Sequence, residues 1–102
     1  MDKLLGLLGL AKRAGKVSHG TADCQDAIRK KTARLVILAS DASENTKKAI
    51  SNSCKFYNTN YIIYKDKSVL GKALGTDVLS AIAVLDNGFA DTIFKLYKES
   101  EV

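Results

Sequence analysis

The stretch "LVILA", Leu35 to Ala39, constrains this chain more than any other. It is apolar at every position and lacks the alternation of a strand with one wet face, so it reads as a strand covered on both sides. A strand of that kind sits at the centre of a sheet and needs a layer of structure above and below it. The rest of the chain supplies the layers. A second apolar run, "SAIAVL" (80–85), and two shorter strand signals, "KVSH" (16–19) and "YIIY" (61–64), alternate with amphipathic helical stretches from end to end. The order α-β-α-β-α-β-α-β-α predicts a sheet with helices on both faces, an α/β sandwich.

The punctuation comes from glycines and capping residues, because the chain has no proline. In the first helix Leu4, Leu7, Leu8 and Ala11 share a face, and Gly15 stands where a left-handed cap is wanted. Thr21 is the expected cap of the second helix, with Cys24, Ala27 and Ile28 inside and Asp23, Gln25, Asp26, Arg29 and Lys30 outside. Asp41 with Glu44 fits a capping box for the third helix, Ser43 being a rival cap, and Ile50, Cys54 and Tyr57 follow at helical spacing. Asp66 caps "KSVLGKAL", which ends at Gly75. Asp86-Asn87-Gly88 is expected to turn the chain into a last helix whose inner face is Phe89, Ile93, Leu96 and Tyr97.

At 102 residues the chain fits one domain, residues 1–102, with one core. The apolar N-terminal stretch is broken by glycines and too short to span a bilayer, so no membrane association and a cytoplasmic monomer are expected. Cys24 and Cys54 stand 30 positions apart and match neither a zinc spacing nor a disulfide framework, which leaves them as small buried hydrophobes.

Charge is distributed unevenly. Residues 1–34 hold eight Lys or Arg against three acids, residues 35–72 six against three, and residues 73–102 two against five. A basic half of this kind suits an anionic polymer such as nucleic acid, although mild basicity also serves solubility alone. The expected basic face comprises Lys12, Arg13, Lys16, Arg29, Lys30, Lys31 and Arg34. Gly20 and Thr21 offer backbone N–H groups at a helix start, where the macrodipole favours a phosphate. Asp26 to Lys30 is a favourable i, i+4 pair in its own right.

No catalytic, metal or cofactor kit is apparent. Ser18, His19 and Asp23 are close in sequence, but adjacent strand residues point to opposite faces and do not form a nucleophile–base pair. His19 reads as a strand-end surface residue, or as an imidazole placed to stack on a base.

The phrases "LGLAKRAGKVSHG", "ARLVILASDASENTKK" and "LGKALGTDVLSAIAV" together resemble the bacterial YlxQ-type proteins, short relatives of the kink-turn-binding ribosomal protein superfamily. The resemblance spans nearly the whole chain. It implies a three-layer α/β/α sandwich around a mixed four-stranded sheet, an RNA partner, association with ribosomes or translation, and neither cofactor nor catalysis. In that superfamily a Gly-Thr-Asn-Glu-x-x-Lys stretch opens the second helix and reads sheared G·A pairs with adjacent phosphates. Gly20 and Thr21 match it. The asparagine is Ala22 here, the glutamate is Asp23, and the lysine is Asp26, of opposite charge, with Lys30 one turn further on. The second contacting loop corresponds to Thr76 through Ser80, whose Val78 and Leu79 are expected to pack on an extruded base. The departures at 22 and 26 imply RNA binding with altered or reduced specificity. The competing reading is a protein-interaction module of the translation apparatus on the same scaffold.

Overall fold

The computed structural model describes residues 2–100, so Met1, Glu101 and Val102 of the expected domain lie outside the described residues. The elements run α1 (Lys3–Arg13), β1 (Val17–His19), α2 (Thr21–Arg29), β2 (Leu35–Leu38), α3 (Glu44–Phe56), β3 (Tyr61–Ile63), α4 (Lys67–Ala73), β4 (Ala81–Val84) and α5 (Asn87–Ser100). The strands form one mixed sheet in the order β1-β4-β2-β3. β2 pairs parallel with β3, and β4 runs antiparallel between β1 and β2.

Both central strands are buried at every position, as their unbroken apolar runs require. Their pleat sends alternate residues to opposite layers. Leu35, Ile37, Ile82 and Val84 pack in one cluster with Leu4 and Leu8 of α1, Leu70 of α4 and Ile93 of α5. Val36, Leu38, Ala81 and Ala83 pack in the other with Cys24 and Ile28 of α2 and Ile50 and Cys54 of α3. The result is a three-layer α/β/α sandwich, with α1, α4 and α5 on one face and α2 and α3 on the other. Burial pushes the Cys24 thiol up to about 12, Asp23 and Cys54 adding to the effect, and pushes Cys54 to about 11. Both are therefore protonated core residues. No helix among the described residues is long and apolar enough to cross a membrane.

The ends of the helices agree with the expected punctuation at some positions and differ at others. Gly15 has φ +73° and closes α1, its N–H and that of Lys16 donating back to the carbonyls of Lys12 and Ala11. Asp66 caps α4 by accepting from Val69 N at 2.8 Å. Ser43, the rival, caps α3 by accepting from Thr46 N at 3.1 Å. Asp41 does not cap α3, because its carboxylate is engaged elsewhere, accepting from Lys67 N at 2.8 Å. Thr21 is the first residue of α2 and not its cap: the cap position belongs to Gly20. Asp86 accepts from Phe89 N at 3.0 Å, so the expected Asp86–Gly88 turn is the capped start of α5.

Candidate nucleic-acid interface

The start of α2 and the loop after α4 are far apart in sequence, and the sheet brings them together. β1 pairs with β4, so the C-terminal end of β1 lies beside the N-terminal end of β4. There Gly20 N–H donates to Ala81 O at 3.1 Å, and across β4 Ala39 N–H donates to Ser80 O at 2.9 Å. The two sequence-predicted contact segments, Gly20–Asp23 and Thr76–Ser80, thus form adjacent parts of one surface.

Gly20 makes that surface possible. Its φ of 95° and ψ of 150° fall in a region essentially restricted to glycine, and this conformation swings the chain from the end of β1 directly into α2. Its own N–H is spent on Ala81, so it does not face a ligand as expected. Having no side chain, it leaves α2 without a side-chain cap, and the first-turn N–H groups of Thr21, Ala22 and Asp23 have no carbonyl of their own helix to meet. Those three residues are exposed. The arrangement leaves donors and the positive end of a helix dipole available to an external acceptor.

The neighbouring loop is held from both ends. Thr76 N–H donates to Gly71 O at 2.8 Å and Leu79 N–H to Lys67 O at 3.0 Å. It packs so closely over α4 that a Cβ at Gly71 would lie 2.4 Å from Asp77 O. Val78 projects from it, 59% exposed, whereas Leu79 is only 8% exposed and belongs to the core. Val78 and Thr76 are thus exposed, whereas the expected packing of Leu79 on an extruded base does not fit its place in the core.

The expected basic face is not one face. Arg29, Lys30 and Lys31 stand at the far end of α2, about 13 Å from its start for a helix of nine residues. Asp26 forms ion pairs there with Arg29 and, at 3.7 Å, with Lys30. Lys16 and Arg34 lie at the other end of the sheet, their backbones bonded to Leu85 and Val84. Lys12 and Arg13 belong to the opposite helical layer and line a groove with Lys72. Two further lysines escaped the sequence reading: Lys67, whose carbonyl anchors the Thr76–Ser80 loop, and Lys72. The phrase "LGKALG", with glycines four apart, was the available signal for a close-packed turn flanked by cations.

Ser18 and His19 pair with Ala83 and Ile82, which face opposite layers, so the two side chains diverge. Among the described residues no group of His, Cys, Asp and Glu could hold a metal ion.

Comparison with known proteins places this geometry. The Bacillus subtilis RNA-binding protein YlxQ is 40% identical over 90 residues, covering 88% of this chain and 90% of the relative. The large ribosomal subunit protein eL8 of Cenarchaeum symbiosum is 36% identical over 94 residues, covering 91% of this chain and 75% of the relative. A solved Bacillus halodurans protein of unknown function superimposes with a TM-score of 0.93 at 34% identity, over 96% of this chain and 99% of the other. The Giardia lamblia 15.5kD RNA binding protein shares the fold, with a TM-score of 0.79 at 18% identity over 96% and 84% of the two chains. Residues 2–94 match the model of the ribosomal protein L7Ae/L30e/S12e/Gadd45 family, and the chain belongs to that family.

Proposed function

We propose that the chain is a non-catalytic RNA-binding protein, cytoplasmic and associated with the ribosome or translation, that recognises structured RNA of the kink-turn type with altered or reduced specificity. One observation carries the reading: an uncapped helix start, Thr21–Asp23, lies beside the Val78 loop, joined to it through the Gly20–Ala81 hydrogen bond. N–H groups and a dipole end meet phosphates, Asp23 accepts from a base edge, and Val78 covers an unstacked base. The names of the relatives, an RNA-binding protein and a ribosomal protein, support the same partner. This chemistry needs binding and positioning only, and no cofactor.

Ala22 and Asp26 are where specificity is reduced. Ala22 is exposed and presents no amide to a base, and Asp26 keeps Arg29 and Lys30 occupied. Restoring both in the Ala22→Asn, Asp26→Lys variant is expected to add a bidentate contact and release two cations. A good base contact is worth roughly 1–3 kcal/mol, so preference for a kink-turn over a plain duplex should rise on the order of tenfold or more. Titration of parent and double variant against both RNAs at one salt concentration checks it. A double variant without new preference, or a parent that already prefers the kink-turn strongly, would refute the assignment of these positions.

A further inference from the structure

We propose that the groove between the C-terminal ends of α1 and α4 is a second RNA contact, in which Lys12, Arg13 and Lys72 hold the sugar–phosphate backbone of the segment flanking the element bound at the start of α2. The inference rests on the RNA-binding reading above and adds to it a site on the opposite helical layer.

The groove has a volume of about 480 Å³, with Lys12 and Arg13 on one wall and Lys72 and the Ala73–Gly75 turn on the other. Its walls are brought together by a close helix crossing, since a Cβ on Gly9 would come within 3.3 Å of Ala73 O. Among the described residues, no acidic side chain lines it. Lys12, Arg13 and Lys72 are exposed, and none of them takes part in the ion pairs found among the described residues. This contrasts with Arg29 and Lys30 on the other layer, which share Asp26.

An internal role for these cations is to face the negative ends of their helices, where all three sit in the last turn. That role is limited. The terminal carbonyls already have partners: Gly15 and Lys16 N–H donate to Lys12 and Ala11 O at 3.0 and 2.9 Å, and Gly75 and Thr76 N–H to Lys72 and Gly71 O at 3.1 and 2.8 Å. Two helix ends present at most about one negative charge between them, so three full charges leave roughly two uncompensated. Cations that repel one another in a shared groove without a carboxylate bind an anion favourably, and a guanidinium with two ammonium groups suits phosphodiester oxygens.

Position identifies the source of those phosphates. The groove ends at Gly75, where the Thr76–Ser80 loop begins, and the far end of that loop is the strand hydrogen-bonded to Gly20. RNA lying across Thr21–Asp23 and Val78 therefore reaches the groove by following the loop. The flanking helix is the segment within reach, and it should be contacted without regard to sequence.

The test uses two RNAs with the same kink-turn core, one with its flanking helix cut to a few base pairs and one with that helix extended by a full turn. Binding of the parent, of Lys12→Gln/Arg13→Gln/Lys72→Gln, and of Lys72→Gln alone is measured over a salt series. The parent should bind the extended RNA more tightly. The triple variant should lose on the order of tenfold or more on the extended RNA, with a salt slope smaller by about two to three, and should match the parent on the short one. Lys72→Gln should show about one third of the slope change, so the conclusion does not hang on the triple variant alone. Equal affinity and slope for parent and variants on the extended RNA would overturn the groove. Equal losses on both RNAs would also overturn it, because the cations would then act on the core site. A parent that binds the core but gains nothing from the extension refutes the groove and spares the RNA-binding reading. A parent that binds neither RNA refutes both.

Discussion

Gly71→Ala gives the sharpest test of how the loop beside α2 is held. The added methyl carbon would lie 2.4 Å from Asp77 O, 2.6 Å from Asp77 C and 2.8 Å from Val78 Cα, all backbone atoms that cannot rotate aside. Relief requires the loop to retreat by about 1 Å, and overpacking of this kind costs about 1–3 kcal/mol. The retreat also strains the bonds that pin the loop, Thr76 N to Gly71 O and Leu79 N to Lys67 O, each worth about 0.5–1.5 kcal/mol. Against this, alanine is a better helix former than glycine by about 1 kcal/mol. The net loss should be about 2–3 kcal/mol, or roughly 10–15 °C in melting temperature for a chain of this size. Gly6→Ala is the control, because Gly6 is an exposed α1 residue whose Cβ would meet nothing within 4 Å. That variant should melt a few degrees above the parent, by the same propensity of about 1 kcal/mol. Thermal unfolding of the three proteins decides it. Gly71→Ala melting at or above the parent would show that the loop is not wedged against α4.

Gly15→Val should cost about 1 kcal/mol or more, since Gly15 has φ +73° and a β-branched residue tolerates that region poorly. A melting temperature equal to the parent's would contradict the strain. Stability should also fall in alkali. Burial raises Cys24 to about 12 and Cys54 to about 11 from an ordinary 9.0, and burial with the Asp2 hydrogen bond raises Tyr64 to about 12 from 10.0. The folded state holds these protons more tightly, so their contribution is complete below pH 9 and disappears between pH 9 and 12. Denaturant titrations across that range check it, and Cys24→Ala/Cys54→Ala should flatten the part between pH 9 and 11.

The layers were legible because apolar runs and helical spacing report which side chains turn inward, and Leu35–Ala39 reports it for both faces of a strand. Neighbours are another matter. The order β1-β4-β2-β3 depends on which strand edges meet, and periodicity carries no information on edges. Yet that order is what places Gly20 beside Ala81 and assembles the interface. Leu79 and Gly20 likewise depend on contacts distant in sequence. In "TDVLS" two adjacent apolar residues sit in a polar loop, and tertiary contacts, among them the bond from Leu79 N to Lys67 O, leave Leu79 inside and Val78 outside. At "HGTAD" both Gly20 and Thr21 suit a cap. The choice falls on Gly20 because only glycine takes the angles needed to leave β1 at that point.

Asp26 bears on how charge is shared between the two parts of the proposed interface. The resemblance puts a phosphate-binding lysine at this position, and aspartate there reads at first as simple repulsion of RNA. In the folded protein its carboxylate instead pairs with Arg29 and Lys30, so one negative charge offsets part of the two positive ones there. Lys12, Arg13 and Lys72, on the other side of the sheet, take part in none of the ion pairs found among the described residues. Surface pairs of this type contribute about 0–1 kcal/mol to stability, too little to account for the substitution as a stabilising device. Their larger effect is on the field: Asp26 lowers the positive potential around Arg29 and Lys30, whereas the three cations of the proposed groove keep theirs, so the groove should carry more of the salt-dependent attraction than that pair does. On the proposed reading, Asp26 and Lys72 thus act in the same direction, weighting the electrostatic part of binding toward the α1/α4 layer while the N–H groups of Thr21–Asp23 stay in place.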